Sequence, residues 1–130
     1  MTDFHNQDLA ALLSKRRSVP AGEVIFLEGQ PADCAYVILK GEVQVTVDDA
    51  KGNIVVINRM HGGELFGELA LLQNDGKRTA TTMSKDGCEL LVIDGTVFAK
   101  RLADADPLLR FVLEHLSRRV LMWTDRVRSV

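Results

Sequence analysis

The sequence predicts a mainly β fold with helices at both ends, of the sandwich or jelly-roll-like barrel kind. Three observations lead there. Val43, Val45 and Val47 alternate with Glu42, Gln44 and Thr46, the period of a half-buried strand. Between Val24 and Ile93, short apolar runs follow one another closely, separated by turn residues. Apolar residues at helical spacing gather before and after that stretch.

Taken in order, Leu9, Leu12 and Leu13 mark an N-terminal helix. The run Lys15-Arg16-Arg17 reads as its solvated end, and Pro20 closes it. Val24-Ile25-Phe26-Leu27 runs as a strand into Gly29 and Pro31, and residues 35–39 run into Lys40-Gly41. Residues 48–53 form a hairpin turn, from which Ile54-Val55-Val56-Ile57 returns. Residues 78–84 and 89–93 supply two further strands. Asp106 then Pro107 starts the last helix, with Asp as cap and Pro in the first turn, where its missing N–H is not needed. Leu109, Leu113, Leu116, Val120, Trp123 and Val127 recur at steps of three and four, one apolar seam along about six turns.

At 130 residues and 46% hydrophobic, the chain is expected to be one domain, residues 1–130, with a sizeable core. A net charge of -2 gives no field to attract nucleic acid, and no apolar run reaches the ~18 residues of a membrane span. The start, Met1-Thr2-Asp3-Phe4-His5, lacks the pattern of a signal peptide. Cys34 and Cys88 sit among apolar residues and read as buried free thiols, in keeping with a reducing cytoplasm. With His5, His61 and His115 scattered and no Cys-x-x-Cys, no metal site is expected.

The chemistry concentrates in Gly63-Glu64-Leu65-Phe66-Gly67-Glu68-Leu69-Ala70-Leu71-Leu72 and, after a turn, Arg78-Thr79-Ala80-Thr81. Gly67 lets backbone approach a ligand closely. The run after it has helical propensity, and a short helix offers free N–H groups at its start. Arg78 carries a rigid fork of donors suited to phosphate. Thr79 adds a hydroxyl and Ala80 an unobstructed amide. Glu68 is acceptor-only when ionised, useful for a ligand bearing sugar hydroxyls. Taken singly, these residues also fit a surface turn; their order is what gives the segment meaning.

Phe66-Gly67-Glu68-Leu69-Ala70-Leu71-Leu72 followed by Arg78-Thr79-Ala80-Thr81 resembles the phosphate-binding cassette of cyclic-nucleotide-binding domains, as found in protein kinase A regulatory subunits, cyclic-nucleotide-gated channels and catabolite-activator-type regulators. Gly22-x-x-x-Phe26-x-x-Gly29 and Tyr36-x-Ile38-x-x-Gly41-x-Val43-x-Val45 resemble the family's first strands and glycine turns. The resemblance covers roughly residues 18–127. It implies a β-roll (a double-stranded, jelly-roll-like β-helix) of about eight strands over about 18–94, with an N-terminal helix, a short cassette helix and C-terminal helices over about 95–128.

The resemblance also implies roles. Glu68 would accept from the ribose 2′-hydroxyl, and Arg78 would pair with the cyclic phosphate. Thr79, Ala80 and the amides of Gly67, Leu69 and Ala70 would complete the anion pocket. Ile57 and Met60 would touch the base or serve as barrel core, roles that do not exclude each other. Trp123 and Thr124 fall where catabolite-activator-type domains place contacts from the last helix to adenine. Trp123 departs from that polar pattern and could stack on the base instead. Thr79 permits cyclic GMP, while bacterial cyclic AMP receptors also carry a hydroxyl there; the balance falls to cyclic AMP, by analogy.

Three readings of the apolar seam stand open: packing on the roll, a two-helix homodimer seam, or a lid ordering on ligand. The expected function is a cyclic nucleotide receptor that signals through its last helix to a separate effector protein, with no cofactor beyond the ligand. The alternatives are a degenerate fold retained for protein contacts, against which Glu68 and Arg78 both count, and a cupin-like metalloenzyme, for which clustered ligands are missing. No positioned nucleophile and base suggest an enzyme.

Overall fold

The computed structural model describes residues 15–73 and 75–128; the helix expected around Leu9–Leu13 lies outside them. Among the described residues six strands form one antiparallel sheet that curls on itself: β1 (Arg16–Val19), β2 (Val24–Phe26), β3 (Cys34–Asp48), β4 (Ile54–Met60), β5 (Leu65–Phe66) and β6 (Thr81–Asp94). Helices α1 (Glu68–Leu72), α2 (Gly95–Ala103) and α3 (Pro107–Arg128) complete the described chain. β6 pairs along its length with β3, and also with β1 and β2. β4 and β5 pair with separate stretches of β3. This is the mainly antiparallel β-roll with flanking helices that the sequence leads one to expect.

The basic run is corrected by the structure. Arg16 and Arg17 open a strand rather than close a helix, pairing with Leu91 and Leu90. The neighbouring β6 satisfies this backbone, and Arg17 donates to the Tyr36 hydroxyl at 2.9 Å. Strand count is corrected as well. Residues 35–39 and 43–47 belong to one 15-residue strand, and 81–84 and 89–93 to one 14-residue strand. Each bends where two were expected, with register shifts at Ile38/Lys40 and Gly41/Val43. Arg78 itself precedes β6: its N–H donates to Gln30 O at 2.8 Å, and its carbonyl accepts from Gly29 N at 2.8 Å.

The bend depends on glycine. Gly41 has φ of 97° and faces Gly87, also at 97°. A Cβ on Gly41 would collide with the Gly87 carbonyl and stand 2.8 Å from Cys88 Cα. Backbone cannot swing away as a side chain can, and positive φ strains any other residue there. Gly41→Ala is therefore expected to lower stability by about 3 kcal/mol or more. A falling urea midpoint with unchanged slope would register it.

The core lies between the sheet's two halves, around Ile38, Val43 and Leu90, none of them accessible to solvent. Phe26, Tyr36 and Phe66 pack together at one end, with ring centroids 5.2–6.4 Å apart. Cys34 and Cys88 are buried free thiols. No described helix is long and apolar enough to cross a membrane.

Asp94 caps α2, accepting from Thr96 N and Val97 N. Asp106 accepts from Leu108 N at 2.8 Å at the start of α3, as the Asp-Pro pair implies. The seam of α3 is the larger surprise. Leu109, Leu113, Leu116 and Trp123 face outward and are exposed, which overturns the reading that the seam packs on the roll; Val120, at its edge, is partly exposed and borders the roll. Ser117 (3% exposed) and Thr124 (7%) face inward instead. Their hydroxyls donate within the helix, to Glu114 O at 2.8 Å and Val120 O at 3.2 Å, so small polar side chains can be buried there without water.

Candidate functional site

The cassette is built by a turn and a short helix. Gly67 takes φ of 82° and starts α1, turning the chain from β5 so that Glu68, Leu69 and Ala70 follow at once. Side chains are excluded at this position for a second reason. A Cβ on Gly67 would lie 2.9 Å from Arg78 Nη1 and 3.2 Å from the Phe26 ring. The glycine thus makes room for the guanidinium.

Arg78 is 5% exposed and fixed on one side. Nη1 donates to Gly67 O at 2.9 Å and Nη2 to Cys34 O at 2.8 Å. The guanidinium lies 3.9 Å from the centroid of Phe26, over its face. Its Nε is buried and has no partner. Opposite in kind, Glu68 Oε2 is a buried acceptor without a partner. Burial pushes the Glu68 carboxyl above its ordinary pKa, against the opposing pull of its own backbone amide and of the Arg78 charge.

Both residues line one half-open cavity of about 160 Å³. Ile57, Met60, Gly67, Leu69, Ala70, Thr79, Ala80 and Thr124 line it too, so the structure gathers every residue singled out in the sequence except Trp123. Trp123 is 65% exposed on the outer face of α3, with Arg126 over its ring at 4.7 Å. It does not reach the cavity within this chain, because neighbouring residues on a helix point about 100° apart and Thr124 takes the inward position. Sequence reasoning missed Phe26 as the platform for Arg78, and Val45, Asn58, Thr82 and Val120 as wall. The alternating pattern around Val45 marked it as strand without telling which face met a cavity. Among the described residues no cluster of His, Cys, Asp and Glu could hold a metal ion.

Chemically, the cavity offers one orphaned cationic donor, one orphaned carboxylate acceptor and an apolar wall. An unpaired buried polar atom costs about 1–3 kcal/mol, so such a cavity favours a ligand that brings an anion and a hydroxyl together. Residues 16–105 match the cyclic nucleotide-binding domain family.

The chain belongs to that family. Among similar proteins, the cAMP-activated global transcriptional regulator CRP of Haemophilus influenzae is 30% identical over 112 residues, 85% of this chain and 50% of the relative. Human Rap guanine nucleotide exchange factor 3 is 34% identical over 110 residues, 84% of this chain and 11% of the relative. The cGMP-bound form of the EAL enzyme Bd1971 superposes with a TM-score of 0.77 at 26% identity, covering 87% of this chain and 30% of that one. This cyclic nucleotide-binding domain therefore spans about half the length, or less, of these relatives.

Proposed function

We propose that this domain is a receptor for a purine cyclic nucleotide, cyclic AMP in preference to cyclic GMP. The observation that carries the reading is the pair of orphaned buried atoms, Arg78 Nε and Glu68 Oε2, in one cavity of a cyclic nucleotide-binding domain. With its two terminal nitrogens held by carbonyls, Arg78 presents Nε to the cyclic phosphate. Amides at Leu69, Ala70 and Ala80, and the Thr79 hydroxyl, complete the anion's shell, and Glu68 accepts from the ribose hydroxyl. Ile57 and Met60 flank the base, while Thr124 and Val120 reach it from α3. The preference for cyclic AMP draws on the cAMP-activated relative.

Calorimetric titration with each nucleotide tests the proposal. Micromolar or tighter binding, stronger for cyclic AMP, supports it. Binding of neither by folded protein leaves a degenerate module that makes protein contacts.

A pH dependence accompanies this reading. The Glu68 carboxyl is raised in the fold, so its contribution to stability is full below the unfolded carboxyl's pKa and is lost as pH rises through the raised value. A ligand hydroxyl favours the carboxylate and reverses that shift. Affinity is expected to be flat above the raised pKa and to fall by up to about tenfold per pH unit below it. Glu68→Gln is expected to bind more weakly with that acid limb removed, as titrations across pH would record.

A second reading concerns output. The exposed seam on α3 fits a homodimer in which two such helices pair, and movement of α3 on ligand binding would pass the signal to a separate effector protein. The outward leucines and Trp123 favour this, because soluble surfaces seldom carry so long an apolar stripe unpartnered.

A further inference from the structure

A third orphan lies in the same cavity. The Thr82 side chain is 2% exposed, lines the cavity wall, and its hydroxyl has no hydrogen-bond partner. Its neighbours Ala80 and Ser84 are buried on the same side of the chain, and Ser84 is satisfied: it accepts from Gly87 N at 3.0 Å and donates to Val19 O at 3.4 Å. Thr82 alone of these hydroxyls is left open, which suggests a partner supplied from outside the fold.

The register shows where it points along the cavity. Thr82 pairs with Phe26 on one side and Val45 on the other, and Val45 pairs in turn with Asn58. All four line the cavity, forming a row across β2, β6, β3 and β4. The row starts at Phe26, against the Arg78 guanidinium, and leads away from it toward β4, which also contributes Ile57 and Met60. Phosphate and ribose already have their groups, Arg78 Nε and Glu68 Oε2. The part of a cyclic nucleotide left to meet this row is the base.

We propose that Thr82 is a specificity-determining residue: its hydroxyl hydrogen-bonds the polar edge of the purine. The inference rests on the receptor reading above and goes further, to the atom that discriminates among bases. A hydroxyl both donates and accepts, so it can serve an amino group or a carbonyl. An unsubstituted purine offers it ring nitrogens alone and lacks the exocyclic amino group or carbonyl that the hydroxyl is placed to meet. Discrimination built this way comes from a buried polar group left unpaired, which a purely apolar wall cannot provide.

The test is a ligand series against Thr82→Val, which keeps the shape of the side chain and removes only the hydroxyl. Calorimetry would compare cyclic AMP, cyclic GMP and the 3′,5′-cyclic phosphate of unsubstituted purine riboside. Thr82→Val is expected to weaken the preferred natural nucleotide about five- to tenfold and to leave the unsubstituted purine within about twofold. The unliganded variant is expected to melt no lower than the wild type, since the hydroxyl has no partner in the fold. Equal weakening of all three ligands, or no weakening of any, would overturn the proposal while leaving the receptor reading intact. A lower melting temperature would also overturn it, by showing that the hydroxyl serves the fold. If wild-type protein binds none of the three, the receptor reading fails and this inference falls with it.

Discussion

Arg78→Ala should weaken cyclic nucleotide binding by about 30-fold to several thousand-fold. That range is the consequence of removing one member of a buried, hydrogen-bonded charge pair, about 2–5 kcal/mol. The structure adds a cost that the sequence does not show. Arg78 also holds Gly67 O and Cys34 O and covers the Phe26 ring, so the unliganded variant should lose about 2 kcal/mol of stability. The two effects separate experimentally. Circular dichroism at low temperature should report a folded variant, and calorimetry on that sample should report the lost affinity. Arg78→Lys should fall between: the charge remains, but one ammonium cannot reach both carbonyls and still face the ligand. Undiminished affinity in a folded Arg78→Ala variant would defeat the receptor reading.

Leu116→Glu should convert a self-associating protein into a monomer. In a symmetric pairing every residue counts twice, so the substitution removes two leucines from the joint, about 3–6 kcal/mol, and dissociation should become easier by over a hundredfold. Leu116 is exposed in the single chain, so the fold itself should tolerate the change. Light scattering of wild type and variant, with and without cyclic nucleotide, reads the outcome. A wild-type monomer at high concentration in both states would remove the dimer and leave the outer face of α3 to the separate effector.

The sequence made the cassette legible because its requirements are local. Gly67, Glu68 and the residues after them act through one turn and one short helix, and Arg78 follows within a dozen positions. The cap at Asp106 and the hairpin at residues 48–53 are local in the same way; in that hairpin Asp49 accepts from Lys51 N and Asn53 N. What escaped reading depended on distant partners. Arg16 and Arg17 became strand because β6, some seventy residues on, offered an edge. β3 and β6 each counted as two strands because their glycines look like turns from within one strand, and only the facing of Gly41 and Gly87 makes them bends. The orientation of α3 was misjudged in one of its three readings for a general reason. Periodicity locates an apolar stripe but not the surface that covers it, and here the roll takes the polar side.

That choice of side sets how readily α3 can part from the roll. A helix seated on leucines alone surrenders its hydrophobic attachment when it lifts; this one uncovers the half-buried Leu121 and the edge of Val120 but otherwise Ser117 and Thr124, whose hydroxyls stay bonded to their own helix whether docked or not. Among the described residues a neutral hydrogen bond crosses the joint, Gln73 Nε2 to Ser117 Oγ at 3.1 Å, which water can replace at little loss. Undocking should therefore be a low-energy excursion, far below the cost of opening the sheet. Amide hydrogens along α3 should exchange well before those of β3 and β6, and the gap between the two rates would measure how loosely the helix is moored.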